Sequence, residues 1–486
     1  MKRFFAGALA ALVTLSAVSA HADVKLPKIF SSRMVLQQKT QAPVWGWAEP
    51  GEAVKVILGD KAVETKAGDD GKWMVKIETP AGSNEPTTLK VQGKNEIVLD
   101  DVLIGEVWVG SGQSNMQWSV AASANKDEEI KNANHPTIRL FTVPSGANMP
   151  ATEPQQDLAP DLSWKECNSQ NIPGFSAVAY FFGRKLNQEL NVPVGLINTS
   201  WGGTICEAWT SKPALEADKE WLAPIVERHK EFKPGNPNQP AVLYNGMIHP
   251  LIPFAIRGAI WYQGESNKGR AEQYATLFPA MIKDWRACWG QGDFPFLFVQ
   301  LAPYAYGRDQ DKKPIDTKEL PELWEAQVKT LSLPNTGMAV TTDITELLDI
   351  HPKNKQDVGL RLALWALGTT YGKQDLVYSG PLYDSMAVEG GKIRIKFKHV
   401  GGGLEAKDGQ PLSHFQIAGD DEKFVDAKAE IENGGTIIVS SPDVAKPVAV
   451  RFGWNDLATP NLVNKAGLPA SPFRTDNFKQ VTAGRK

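Results

Sequence analysis

The sequence predicts an α/β protein, with a doubly wound parallel sheet carrying the chemistry and a β-rich module on each side of it. Three observations predict this. Strand-like apolar runs alternate with longer amphipathic segments from 102 to about 375, the pattern of a parallel sheet with helices on both faces. Four of these runs end in polar loops, and in such a sheet the C-terminal strand ends converge on one crevice. Before 102 and after 375 the runs are short and cut by regular turns, as in small β-sandwiches.

The elements follow in order. Residues 1–22 read as a secretory signal: Lys2 and Arg3 precede an apolar run too short to span a bilayer, and Ala20-His21-Ala22 offers a small-x-small cleavage site. A mature chain from Asp23, periplasmic or secreted and without membrane insertion after cleavage, is the expectation. Residues 23–101 form the N-terminal module, with strands expected at 42–48, 54–58, 72–77 and 88–91 between turns such as Glu49-Pro50-Gly51 and Asp69-Asp70-Gly71. The catalytic unit, 102–375, opens on the apolar run 102–109. Later strands are expected at 194–197, 256–260, 294–301 and 338–343. Helical spacing places Phe175, Val178, Phe182 and Leu186 on one face, Tyr274, Leu277, Met281 and Trp285 on a second, and Val358, Leu362 and Trp365 on a third. The stretches 233–240 and 307–314 read as surface loops. Short strands return over 376–486, the C-terminal β-rich module.

Composition excludes some functions. The 486 residues are 42% hydrophobic and 22% charged, with a formal net charge of -3. That gives no electrostatic reason for binding nucleic acid or an anionic membrane. Cys167, Cys206 and Cys288 permit one disulfide at most and match no metal motif, so all three read as buried, small apolar residues. No metal or organic cofactor is expected. Fifteen Trp favour a carbohydrate ligand, since indole faces stack well on sugar rings, although they also fill large cores.

The chemistry concentrates in the four loops. Gly110-Ser111-Gly112-Gln113-Ser114 follows the first run, and Ser114 sits past a sharp turn where a helix can begin. Such a hydroxyl is placed as a nucleophile, although a helix-capping Gly-Ser turn would look the same. A serine nucleophile needs a base, an orienter and oxyanion donors. His135, His229, His249, His399 and His414 lie in loops, charged runs or the C-terminal module. His351 lies between the last strand and the last helix, with Asp349 two residues before it. His351 is therefore the expected base and Asp349 its orienter, with Asp343 or Glu346 as alternatives. The N–H of Ser114 would be one oxyanion donor. Trp118, Trp201 and Trp261 share these loops and are candidates for binding substrate by stacking on sugar, or for flooring the crevice. Glu265 with Asp349 or Asp343 could instead form a glycosidase pair, which would leave Ser114 without a purpose.

The four stretches "GQSNMQW", "NTSWGGT", "WYQGESN" and "DIHPKNKQDVG" resemble, in order and spacing, the SGNH/GDSL hydrolases, and within them the sialate O-acetylesterase-like carbohydrate esterases. The resemblance implies a flavodoxin-like sheet and a serine esterase that deacetylates carbohydrate through an acyl-enzyme. It implies Gly203, with Gly202 as the near alternative, as a second oxyanion donor. It also implies a side-chain amide from the third stretch, Gln263 or failing that Asn267. The family spacing is Asp-x-x-His, whereas this chain has Asp-x-His. Acetylated xylan, xyloglucan fragments and O-acetyl sialic acid are all candidate substrates. The stretches hold no basic residue before Lys268 or Lys353, which favours neutral sugars. A carbohydrate-binding protein on a degenerate hydrolase scaffold is the rival reading.

Overall fold

The computed structural model of the protein describes residues 23–486; the expected secretory signal at 1–22 lies outside the described residues. The central sheet contains β1 (Glu96–Gly112), β2 (Asn134–Val143), β3 (Val194–Ser200), β4 (Gly258–Tyr262), β5 (Phe296–Val299) and β6 (Thr336–Ala339). Their order is β6-β5-β4-β1-β3-β2, with Lys165–Asn168 closing one edge. Every pairing between the six is parallel, and the edge strand is antiparallel. From β1 the chain goes to the outer β2, returns to β3 between the two, and then crosses to build β4, β5 and β6 outward on the other side, so the strand order reverses at β1. A crevice opens at such a switch point, beyond the strand ends.

Residues of β3 and β4 are buried on both faces, as parallel strands between two helical layers must be. One layer pairs α2 (Ala177–Leu190) with α5 (Lys355–Trp365); the other pairs α3 (Ala271–Trp289) with α4 (Leu320–Thr330). Helix α2 starts where the Ser176 hydroxyl accepts the Ala179 N–H, and it buries Val178, Phe182 and Leu186. Helix α5 starts where Asn354 accepts the Asp357 N–H, and it buries Val358, Leu362 and Trp365. All three expected helical faces are present, except that Phe175 lies just ahead of α2, whereas α4 carried no reading from the sequence.

The flanking modules join the sheet differently. β1 runs unbroken from the N-terminal strands into the central sheet, so the expected division at 101/102 falls inside one strand. Val44, Val56, Ile77 and Val91 share a core with Val107, Ile197 and Ile260. The C-terminal strands close a core of their own around Ile393, Phe415, Ile437 and Phe452. That module docks through the Trp365 ring, which packs on Tyr378 and His399, and through polar contacts. Buried Asp456 accepts the N–H groups of Thr317 and Leu320, both at 3.1 Å, and Glu325 pairs with Arg474 at 3.1 Å. All three cysteines are free. Cys167 and Cys206 are buried as expected, but Cys288 is exposed, because it faces outward from α3 toward Asp284. Among the described residues no helix is long and apolar enough to cross a membrane.

Gly112 ends β1 with φ +137°, and a Cβ there would lie 2.2 Å from the Tyr262 carbonyl oxygen. Substitution to alanine would therefore force β1 away from β4 in a backbone conformation that alanine disfavours. Gly112→Ala is expected to lose about 2–4 kcal/mol of stability, read as a clear fall in the thermal unfolding midpoint.

Candidate active site

Ser114 owes its position to that glycine. Immediately after it, the Gln113 N–H donates to the Tyr262 carbonyl (3.0 Å), which pins the turn to β4. Gln113 caps α1 (Ser114–Gln117), and its carbonyl accepts the N–H groups of Met116 and Gln117. Ser114 thus opens a single helical turn at the C-terminal end of the central strand, and the first N–H groups of a helix have no partner within it.

His351 meets it from the loop after β6. Its Nε2 lies 2.8 Å from Ser114 Oγ, although 237 residues separate the two in sequence. For the hydroxyl to donate, the ring proton must sit on Nδ1. Burial, and next the charge of nearby Lys355, hold the imidazole below the ordinary histidine value against the opposing pull of Asp349. A neutral ring at pH 7 follows, and a neutral ring can accept the serine proton. The Trp118 indole stacks on the imidazole with centroids 4.6 Å apart and 16° between planes, which fixes the ring's tilt.

Asp349 stands close but does not hold Nδ1. One carboxylate oxygen accepts the His351 backbone N–H at 2.9 Å and lies 3.7 Å from Nδ1, beyond hydrogen-bond range. The shortened Asp-x-His spacing accounts for this, because a carboxylate two residues upstream reaches the backbone N–H first. Catalytic hydrogen bonds are often long before substrate binds. The alternative orienter Asp343 is committed elsewhere: it makes a two-pronged pair with Arg361 (2.6 and 2.8 Å) and also meets Lys407 (3.1 Å). Glu346 is exposed.

The second loop brings its glycines to Ser114. A Cβ on Gly202 would lie 3.1 Å from Ser114 Cβ, and the Gly202 N–H donates to Gln117 Oε1 at 2.8 Å. Gly203 has φ +75°, and among the described residues its N–H meets no acceptor. Its carbonyl accepts from Asn238 Nδ2 (3.1 Å), and the Ile205 N–H donates to Asn238 Oδ1 (3.0 Å). The stretch 233–240, expected as a plain surface loop, therefore steadies the Gly203 turn.

Two expectations need correction. Gln263 does not present its amide to the serine: both Nε2 hydrogens are used, on Thr204 O (3.1 Å) and Asn267 Oδ1 (2.7 Å), within a fully buried network. Asn267 is likewise engaged, donating to Glu207 (2.8 Å) and accepting the Cys206 N–H (3.0 Å). Both amides tie the third loop to the backbone of the second. Trp261 is core, 1% exposed and packed against Trp209, Phe278 and Trp285, because it lies within β4 and not in the loop after it. Trp118 is occupied by His351. Trp201 stays half-buried beside Gly202.

Two residues at the site carried no sequence reading, Asn115 and Lys355. Asn115 is 2% exposed and Lys355 fully buried. A signal for the second existed: Lys355 is in helical register with Val358, Leu362 and Trp365, so a charge sits on a core-facing stripe.

A hydroxyl paired with a neutral imidazole at the switch point of a doubly wound sheet is the arrangement of a serine-type hydrolase. Comparison with known proteins agrees in class. The family model for carbohydrate esterases described as sialic acid-specific acetylesterases matches residues 104–366. The human sialate O-acetylesterase is 35% identical over 403 residues, 75% of this chain and 74% of that protein. The rat sialate O-acetylesterase is 33% identical over 436 residues, 76% and 78% of the two chains. The crystal structure of a carbohydrate acetylesterase from Xanthomonas citri superposes with a TM-score of 0.84 and 39% identity, covering 94% of this chain and all of that one. The protein is thus a carboxylic ester hydrolase of the carbohydrate esterase class. It belongs to the sialic acid-specific acetylesterase family.

Proposed function

We propose that the protein removes O-acetyl groups from carbohydrate through an acyl-enzyme formed on Ser114. The observation that carries this is the 2.8 Å contact between Ser114 Oγ and His351 Nε2. As Oγ attacks the acetyl carbonyl carbon, its proton passes to Nε2. The carbonyl oxygen becomes an oxyanion facing the N–H groups of Ser114 and Gly203, donors that gain strength as charge develops. Collapse breaks the bond to the sugar oxygen, which takes the proton back from His351. Water then attacks the acetyl-serine with the same base, releasing acetate and restoring the hydroxyl. Asp349 stabilises the imidazolium of each step by charge. The chain is expected to act in the periplasm or outside the cell.

The relatives' names favour O-acetyl sialic acid, whereas the charges beside His351 favour a neutral sugar. The Asp349 side chain is 39% exposed and Glu346 is exposed, two like charges for a substrate carboxylate against the one opposite charge of exposed Lys353 on the same loop. Initial rates of acetate release should be compared on acetylated xylan, acetylated xyloglucan oligosaccharides and an O-acetylated sialoglycan. Faster release from the neutral glycans is expected. A preference for the sialoglycan would assign the activity of the mammalian relatives, and no release from any of them would overturn the reading.

A further inference from the structure

Behind the Ser114–His351 pair lies a buried polar cluster that the proposed mechanism does not use. Both polar atoms of the Asn115 side chain are engaged in it. Its Nδ2 donates to Glu265 Oε1 (2.6 Å) and to the carbonyl of Ile350 (3.0 Å), while its Oδ1 accepts from Lys355 Nζ. The residue after the serine thus holds the residue before the histidine, and one amide ties together α1, the loop after β4, the histidine loop and the first turn of α5. The Lys355 ammonium lies 5.3 Å from the Tyr262 ring centroid and 5.9 Å from that of Trp118. The same indole stacks on His351. Ammonium and imidazole therefore share one aromatic spacer, with the ammonium buried and the imidazole side chain 26% exposed.

We propose that Lys355, anchored by Asn115 with Glu265 as its counter-charge, is a positioning residue for the Ser114–His351 pair and opposes protonation of the His351 ring. The inference rests on the acyl-enzyme reading above. Around Lys355 stand Glu265 after β4, and Asp349 and Glu346 on the histidine loop; around His351 stand Lys355, Asp349 and the Ser114 hydroxyl. Burial lowers the lysine to about 7, with Glu265 the leading opposing charge. Its positive charge is therefore fully developed in mildly acid solution, where the imidazole would otherwise take up a proton. Burial also raises the Glu265 carboxyl, against its hydrogen bond from Asn115. Among the described residues Glu265 Oε2 is buried without a hydrogen-bond donor; the carboxylate is held by the Asn115 amide first, then by main-chain N–H, with Lys355 the cation that answers its charge. An unpaired buried carboxylate oxygen is costly, and its position beside a buried ammonium gives it a purpose.

The test compares wild type, Lys355→Met and Lys355→Gln in kcat/KM for p-nitrophenyl acetate from about pH 4.5 to 8. Methionine removes both the charge and the donor to Asn115; glutamine removes the charge and retains a donor. Both variants are expected to move the acid limb upward by about half a unit or more, since the ring loses a repelling neighbour. Lys355→Met should also lose about tenfold in kcat with KM little changed, and Lys355→Gln less. An unmoved limb with full kcat in either folded variant overturns the inference while leaving the esterase reading intact. Should both variants lose a cooperative thermal transition, the wild-type limb decides. It is expected below the ordinary histidine value of about 6.5, and a limb at or above that value overturns the inference. An inactive wild type would instead remove the esterase reading.

Discussion

Ser114→Ala is expected to lower kcat/KM for p-nitrophenyl acetate by at least about 10⁴-fold, or about 5–6 kcal/mol of transition-state stabilisation. No other hydroxyl lies within hydrogen-bond range of His351 Nε2 among the described residues, so none can inherit the attack. Structural cost should be slight. The Ser114 side chain is half-buried, and among the described residues its hydroxyl makes no hydrogen bond except to the imidazole. The turn beneath it is held by main-chain bonds from Gln113 that alanine does not disturb. The thermal midpoint should therefore stay within a degree or two of wild type. A residual rate from the oxyanion donors is compatible with the mechanism, but near-full activity is not.

The convergence of four distant loops was legible in the sequence because it depends on topology alone. Strands β1, β3, β4 and β6 are each recognisable as apolar runs, and parallel pairing sends their C-terminal ends to one edge whatever the side chains do. Direction was not legible. Residues of β4 are buried on both faces, so a period-two pattern cannot say which way Trp261 or Gln263 points. That choice is made by Tyr274, Asn267 and Thr204, which meet the Gln263 amide from other segments. Trp118 raised a related problem: an indole in a loop looks like a sugar platform until a histidine 233 residues later covers its face. Lys355 was overlooked for the opposite reason. Its place on the apolar stripe of α5 was visible, but its hydrogen-bond partner Asn115 comes from α1 and its counter-charge Glu265 from the loop after β4. The N-terminal division was read at a change of pattern, whereas β1 carries one backbone through both patterns and one core surrounds it.

Loss of the histidine and loss of its acid neighbour should differ sharply in this enzyme. His351→Ala is expected to cost about 10⁴-fold or more in kcat/KM, comparable to loss of the serine, because base and nucleophile act as a unit. Asp349→Asn is expected to cost only about 10–100-fold. In the serine-protease triad the equivalent change costs about 10⁴-fold, since a buried aspartate there fixes the tautomer by bonding Nδ1 directly. Here the nearest carboxylate oxygen is 3.7 Å from Nδ1, the side chain is 39% exposed, and its 2.9 Å bond goes to the His351 backbone N–H. An asparagine side-chain oxygen can still accept that bond, so the loop should keep its shape. What is lost is a partly solvated charge, and solvent weakens such a charge. The ring's orientation is already constrained by Trp118 on its face and, through the Ile350 carbonyl, by Asn115. The two variants should be assayed side by side at pH 8, where the ring is neutral in every form and the comparison is free of titration. Equal losses would mean that Asp349 closes onto Nδ1 during turnover and acts as a full triad member. A histidine variant that keeps most of its activity would remove the general base from the mechanism altogether.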